Sequence, residues 1–280
     1  MNLAECPIVT SSNSHAAPIR VTVWGENYHE NSERDRDAMA RLYPDGMHGA
    51  IAAGLTELLG DRVQVRTATQ DQPEHGLTEE VLNNTDVLTW WGHATHGGVD
   101  DAVVERVYQR VLGGMGLLPL HSAHFSKIFI KLMGTSCSLA WRDSGDTELV
   151  WTVAPGHPIT EGVPQPIVID GQEMYGEYFD IPQPDEQIFL STFTGGEVFR
   201  SGCTWRRGKG RVFYFSPGDQ DYPVYHHPDI KRVLANGVLW AAPARTADFV
   251  APAPADMRPP FFQGAQLANQ GAQLAAEVSA

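Results

Sequence analysis

Cysteine and positive charge are both scarce in this chain. Its three cysteines, Cys6, Cys137 and Cys203, form no C-x-x-C pair. That leaves no disulfide framework and no paired-thiol motif; free thiols in a reducing compartment are the expectation. Lysine and arginine number 20 against 34 aspartates and glutamates, a formal net charge of −14. A surface of that sign repels phosphate backbones, so no nucleic-acid partner is expected. The clearest basic cluster, Arg206, Arg207, Lys209 and Arg211 around two glycines, reads as a solvated hairpin turn. No apolar run approaches the roughly 18 residues of a membrane helix, so no membrane partner is expected either. The first 18 residues lack the apolar core of a secretory signal, which makes the cytoplasm the expected location. Neither G-x-G-x-x-G after a strand nor G-x-x-x-x-G-K followed by Ser or Thr occurs, so the two common phosphate-cradling loops are missing.

What is present is alternation. Apolar runs at 19–24, 63–68, 86–91 and 115–120 read as buried strands. Between and after them, 47–59, 77–84, 100–112 and 123–133 carry helical spacing. The polar stretch GENYHENSERD after the first strand reads as a loop long enough to cover a site. This order predicts an α/β fold with a doubly wound, mostly parallel sheet flanked by helices. Beyond Gly134 the pattern changes to short strands at 148–153, 167–169, 187–193, 198–205 and 211–216, an added β extension, with a closing helix over 228–240. Three stretches follow: a loose leader at 1–18, one α/β domain at 19–243, and an Ala/Pro/Gln-rich tail at 244–280.

Two H-x-x-H pairs stand out, His93 with His96 and His121 with His124, each directly after a predicted strand. In open α/β sheets ligands bind outside the carboxyl ends of the strands. The same edge should receive Glu26, Asn27, His29 and Glu30 from the first loop, Ser122 beside the second pair, Glu173, Tyr175 and Glu177 from DGQEMYGEYFD, and Asp219, Asp221, Tyr225, His226 and His227 from SPGDQDYPVYHHPD. Imidazoles and carboxylates from separate loops suit a divalent transition metal. Without metal the same groups suit acid–base work near neutral pH. Several of the histidines could instead simply bridge loop carbonyls. Ser122 sits between a strand and a helix as a nucleophile would, but lacks the G-x-S-x-G context. His157 before Pro158 reads as a turn residue, and Cys137 as a small buried apolar group. Trp24, Trp91, Tyr175, Tyr178, Tyr222 and Tyr225 suit either the floor of a sugar site or the core, with Trp91 favouring the core.

The segments IRVTVWGENYHE, WWGHATHGGVDDAVVERV, GMGLLPLHSAHFSKIFIKLMGTSC, VAPGHPITEGV, EMYGEYFDIPQPDE, GGEVFRSGC and GKGRVFYFSPGDQDYPVYHHPDIKRVLANGVLWAAP occur in order from Ile19 to Pro243. Together they resemble the ThuA-like family, named for trehalose utilisation. The resemblance implies a class I glutamine-amidotransferase-like, flavodoxin-like fold. True amidotransferases carry a cysteine in the tight turn after the nucleophile strand; here that turn holds His121 and Ser122, so thiolate glutamine hydrolysis is excluded. The family link implies a disaccharide or 3-keto-sugar as the small-molecule substrate, with a sugar dehydrogenase as a pathway partner. Relatives often read P-G-H where this chain has Pro217, Gly218 and Asp219.

The expectation is thus a metal-dependent enzyme of sugar catabolism, a hydrolase or isomerase, with zinc or manganese on His29, His93, His121 and Glu173. Glu30, His124, Glu177 and His226 are the candidates for proton transfer. Glu26, Asn27, Ser122, Tyr175 and Tyr225 are those for substrate. One member of each pair, His93 and His121, is expected to face the pocket. The alternative is a non-catalytic sugar-binding or regulatory protein that kept the fold without its nucleophile. A homodimer or higher assembly is expected.

Overall fold

The computed structural model describes residues 17–243, so the expected tail, and all but the end of the leader, lie outside the described residues. Among these residues nine strands form one sheet: β1 (Ile19–Gly25), β2 (Val63–Thr69), β3 (Val87–Trp91), β4 (Gly116–Leu120), β5 (Ala140–Thr152), β6 (Ile167–Gly176), β7 (Glu186–Phe193), β8 (Val198–Arg207) and β9 (Gly210–Phe215). Their order is β2-β1-β3-β4-β9-β8-β7-β5-β6. The pairs from β2 to β9 are parallel, and those from β9 to β6 are antiparallel. The expected β extension is therefore the far half of the same sheet.

Among the described residues seven α-helices accompany it: α1 (Tyr28–Asn31), α2 (Arg36–Leu42), α3 (Gly46–Leu59), α4 (Glu79–Asn83), α5 (Asp101–Gly113), α6 (Lys127–Met133) and α7 (Pro228–Ala241). Both faces of β3 and β4 are covered, which explains why these strands are buried at every position and do not alternate, with Thr89 their one polar side chain. One core layer joins Val103, Val104, Val107 and Val111 of α5 to Phe129 of α6 and to Trp24 and Trp90, whose rings stack at 4.1 Å. The other joins Met47, Ile51 and Leu55 of α3 to Ile230, Val233, Leu234 and Val238 of α7. Each fully buried side chain of this size is worth about 1.5–3 kcal/mol.

Four predicted elements differ in shape. The helix expected over 123–133 is a single 3₁₀ turn, His121–Phe125, followed by α6. Ser126 separates them, because its hydroxyl accepts from Phe129 N and caps a new helix. The polar loop after β1 contains α1 and leads directly into α2. β5 and β6 run well past their apolar cores, so Glu173 and Tyr175 stand on a strand rather than a loop. No helix among the described residues is long and apolar enough to cross a membrane.

Candidate active site

Strand β1 runs out to β2 on one side, and the chain then crosses to β3 on the other. Ligand crevices form at such a switch point, beyond the carboxyl ends of the strands. His29 follows β1, His93 follows β3, His121 follows β4 and Asp219 follows β9. The parallel half thus sends four groups to one place. Glu173 arrives from β6 in the antiparallel half.

His121 sits at the sharpest point of this edge. Its φ is +50°, a left-handed conformation that a residue with a Cβ adopts only under constraint. This is the geometry of a nucleophile elbow, and the elbow residue is His121, not Ser122. The Ser122 hydroxyl faces the Tyr175 phenol. His121 is held on all sides. Its Nδ1 lies 2.9 Å from Ser216 O, Tyr214 Oη donates to its carbonyl, and the Tyr175 ring stacks on it at 4.9 Å. A carbonyl only accepts, so Nδ1 carries the proton and Nε2 is turned to the cluster. There Nε2 meets Glu173 Oε2 at 3.1 Å and Asp219 Oδ2 at 3.4 Å. Burial alone would lower this histidine, but Asp219 and Glu173 outweigh it and raise its pKa to about 10. His121 in turn pulls Asp219 below the usual carboxylate range against the effect of burial.

The same tautomer logic orders His93. Asp35 Oδ2 accepts from His29 Nδ1 at 2.8 Å, and His29 Nε2 is 3.1 Å from His93 Nδ1. In neutral rings His93 Nδ1 must donate to His29, which leaves the Nε2 lone pair of His93 free. The Glu26 carboxylate fixes the loop itself, accepting from the N–H groups of His93 and Ala94. Burial, with the neighbouring His121, brings His93 down to about 4. His124 repeats the pattern: Nδ1 donates to Cys137 O, and burial lowers it to about 3. Both rings are neutral at pH 7.

His93, His121, Glu173 and Asp219 each offer a ligand atom, and all four atoms lie within 4.8 Å of one another. Two imidazoles and two carboxylates fit zinc or manganese. Glu173 Oε2 is buried and has no hydrogen-bond partner despite its closeness to Nε2, as suits an oxygen that ligates a cation. Gly218 sets the position of Asp219, the fourth of these groups: its φ is +143°, and a Cβ there would strike Tyr225 Oη at 2.1 Å. The Gly218 carbonyl is pinned by Trp91 Nε1.

The cluster opens into a cavity of about 440 Å³. Ser122, His124, Phe125, Trp141, Asp143 and Asp221 are among its walls. Trp141 is 63% exposed, at the rim. Asp221 is raised, first by burial and then by Asp219, Asp143 and Asp35, so the pocket is crowded with negative charge.

The remaining sequence candidates lie elsewhere. His29 stands one residue behind the cluster, both ring nitrogens engaged, and Asp219 takes the place expected for it. Glu30 accepts from Met47 N and lines a separate depression with His48. Glu177 is tied to Arg200, which lowers it although burial would raise it. His226 donates to Leu42 O and stacks on Tyr43. Asn27 reaches Asp71 and lines another cavity with Glu26. Tyr225 is buried against Tyr43. His96 is partly buried beside Gly92. Asp35, Trp141 and Phe125 were not marked by any sequence signal. Asp219 was visible as a strand-end acid but was not among the four residues expected to hold a metal.

The family model for trehalose utilisation matches residues 20–241. The chain belongs to the ThuA family. Among solved structures, a ThuA-like protein from Bacteroides uniformis shares 16% identity at TM-score 0.57, over 82% of this chain and 94% of that one. A ThuA-like protein from Parabacteroides merdae shares 14% at TM-score 0.54, over 80% and 90%. A protein of Salmonella typhimurium LT2, described as cytoplasmic, shares 12% at TM-score 0.54, over 80% and 100%. At these identities the likeness shows the fold, a mostly parallel α/β sheet flanked by helices that is consistent with the expected class I glutamine-amidotransferase-like fold, with His121 at the elbow. Comparison with curated proteins gives no match.

Proposed function

We propose that this ThuA-family chain is a cytoplasmic, metal-dependent enzyme acting on an unphosphorylated sugar or keto-sugar. The observation that carries the reading is the convergence of His93, His121, Glu173 and Asp219 at the floor of an open cavity, with both rings held by Nδ1 so that Nε2 faces inward. The positive charge of His121 Nε2 lies 3.1 Å from Glu173 and 3.4 Å from Asp219 and balances the two carboxylates; a divalent cation would substitute for the Nε2 proton. Such an ion supplies Lewis acidity toward a carbonyl or hydroxyl.

The protein's own groups do the rest. Trp141 and Phe125 offer aromatic faces to a pyranose ring at the rim. Asp143, Asp221, Gln220 and Ser122 offer hydrogen bonds to hydroxyls. The crowd of carboxylates disfavours phosphorylated substrates. His124, neutral and fixed on Nδ1, presents Nε2 as the proton acceptor beside the cluster. The proton-transfer role expected of Glu30, Glu177 and His226 therefore rests with His124.

Elemental analysis of the purified protein, then chelation and an assay on 3-keto-disaccharides and their parent disaccharides, tests this. About one zinc or manganese per chain and chelator-sensitive turnover are expected. Sub-stoichiometric metal with unchanged turnover in His93→Ala and His121→Ala would sink the proposal. Sugar binding without turnover would favour the non-catalytic alternative.

A further inference from the structure

Behind the cluster lies a second group of buried polar side chains that the proposed chemistry does not use. Glu148 on β5 is fully buried, and neither carboxyl oxygen has a well-formed hydrogen bond. Its carboxyl faces the Ser191 hydroxyl on β7 and the Gln172 side chain on β6. Gln172 is equally buried and does something specific. Its Oε1 accepts from Glu173 N at 3.1 Å and from Asp219 N at 3.2 Å. One amide oxygen therefore ties together the backbones of both carboxylate ligands, one from each half of the sheet. Its Nε2 is turned toward the Glu148 carboxyl without a well-formed hydrogen bond to it or to any other group.

The backbone is bent to allow this. The β5–β6 register shifts twice, between Arg142 and Asp146 and between Asp146 and Glu148. Such bulges re-aim side chains and often border active sites. Here Asp146 pairs with Gln172 while Glu148 pairs with Ile169, so residues 170 and 171 carry the irregularity just before Gln172. An isolated carboxyl in such a place costs free energy, and packing alone would favour an apolar residue. Position 148 lies in a strand whose neighbour Val150 is as buried as it is.

We propose that Glu148 is a positioning residue for the candidate metal centre: it anchors Gln172, which sets the spacing of Glu173 and Asp219. This rests on the metal reading above. Outer-shell partners of metal ligands commonly govern affinity by 10–100-fold.

The test is Co²⁺ titration of the full chain, followed by its visible absorption, with circular dichroism to check folding. Glu148→Leu should weaken Co²⁺ about 10–100-fold and alter the band positions. Glu148→Gln, which keeps an acceptor for the Gln172 amide, should stay within about threefold of wild type with an unaltered spectrum. A folded Glu148→Leu with wild-type affinity and spectrum overturns the positioning role and leaves the metal centre standing. If Glu148→Leu does not fold, Gln172→Met takes its place: unchanged binding there overturns the role equally. A wild-type chain that takes up no Co²⁺ overturns the metal reading itself.

Discussion

The two halves of the sheet contribute to the site in opposite ways. The parallel half delivers side chains from turns just past its strand ends: His93 after β3, His121 after β4, Asp219 after β9. The antiparallel half delivers them from inside strands: Glu173 on β6, with Gln172 beside it and Glu148 on β5. Turns place a ligand through special backbone geometry, as the positive φ of His121 shows. Strands place one through register, and here through bulges that turn polar residues toward a site instead of toward solvent. The parallel half is thus the common frame of the fold, and the extension is where its charge balance is set.

The largest effect should come from breaking the parallel contribution at its centre. His121→Ala removes the ligand both carboxylates approach, and turnover should fall about 10³-fold or more, since Lewis-acid stabilisation is worth several kcal/mol. His226→Ala, at the same edge but facing Leu42 O, should leave turnover within about twofold. Equal losses in the two variants would mean that the edge as a whole, not this cluster, carries the function.

The next effect belongs to the antiparallel half and is read in stability. Burial raises Glu148 from its ordinary 4.5 to about 7. A carboxyl raised on folding leaves stability intact below its unfolded pKa and removes it as pH climbs through the folded one. Glu148→Gln cannot ionise and escapes that loss. The stability of Glu148→Gln relative to wild type should therefore rise between pH 4.5 and about 7.5 and then level off. The gain should reach about 3 kcal/mol, from 1.36 kcal/mol per pKa unit. Denaturant melts at four pH values measure it, and a flat difference would show Glu148 already ionised and solvated.

These halves were also unequally legible from the sequence. Mostly apolar runs followed within two residues by histidine announced β3 and β4, because parallel strands covered on both faces leave little room for polar residues. The chemistry followed at once, since a strand-end turn is adjacent in sequence to its strand. The extension hid its contribution. Gln172 and Glu173 look like loop residues in DGQEMYGEYFD, and only a bulged pairing with β5 makes them strand. Asp219 was in view, but its choice over His29 depends on Asp35, which engages His29 from six residues away in a turn no periodicity predicts. Trp141 became a rim residue only through the length of β5.

A smaller effect sharpens the tautomer argument for the parallel half. Asp35→Asn keeps the shape of the side chain but no longer obliges His29 to donate from Nδ1. His93 then loses its fixed orientation, and zinc affinity should weaken about 10–100-fold, toward the lower end because His93 itself remains. Isothermal titration measures it. An unchanged affinity would show that the Glu26 clamp on the His93 and Ala94 N–H groups suffices to hold the ring.

The smallest effect asks whether the extension touches substrate at all. Trp141 lies on β5 at the cavity rim, 63% exposed, and its neighbour across the strands is Tyr175, which stacks on His121. An indole left that open costs solubility and is useful where an apolar ring face must be caught from water. A contact of this kind is made equally in the ground and transition states, so its loss raises KM and spares kcat. Trp141→Ala should raise KM about fivefold, near 1 kcal/mol, while Trp141→Phe recovers most of it. A fall in kcat instead would mean that the disturbance travels through Tyr175 to His121. The division between a parallel half that reacts and an antiparallel half that holds would then be too clean.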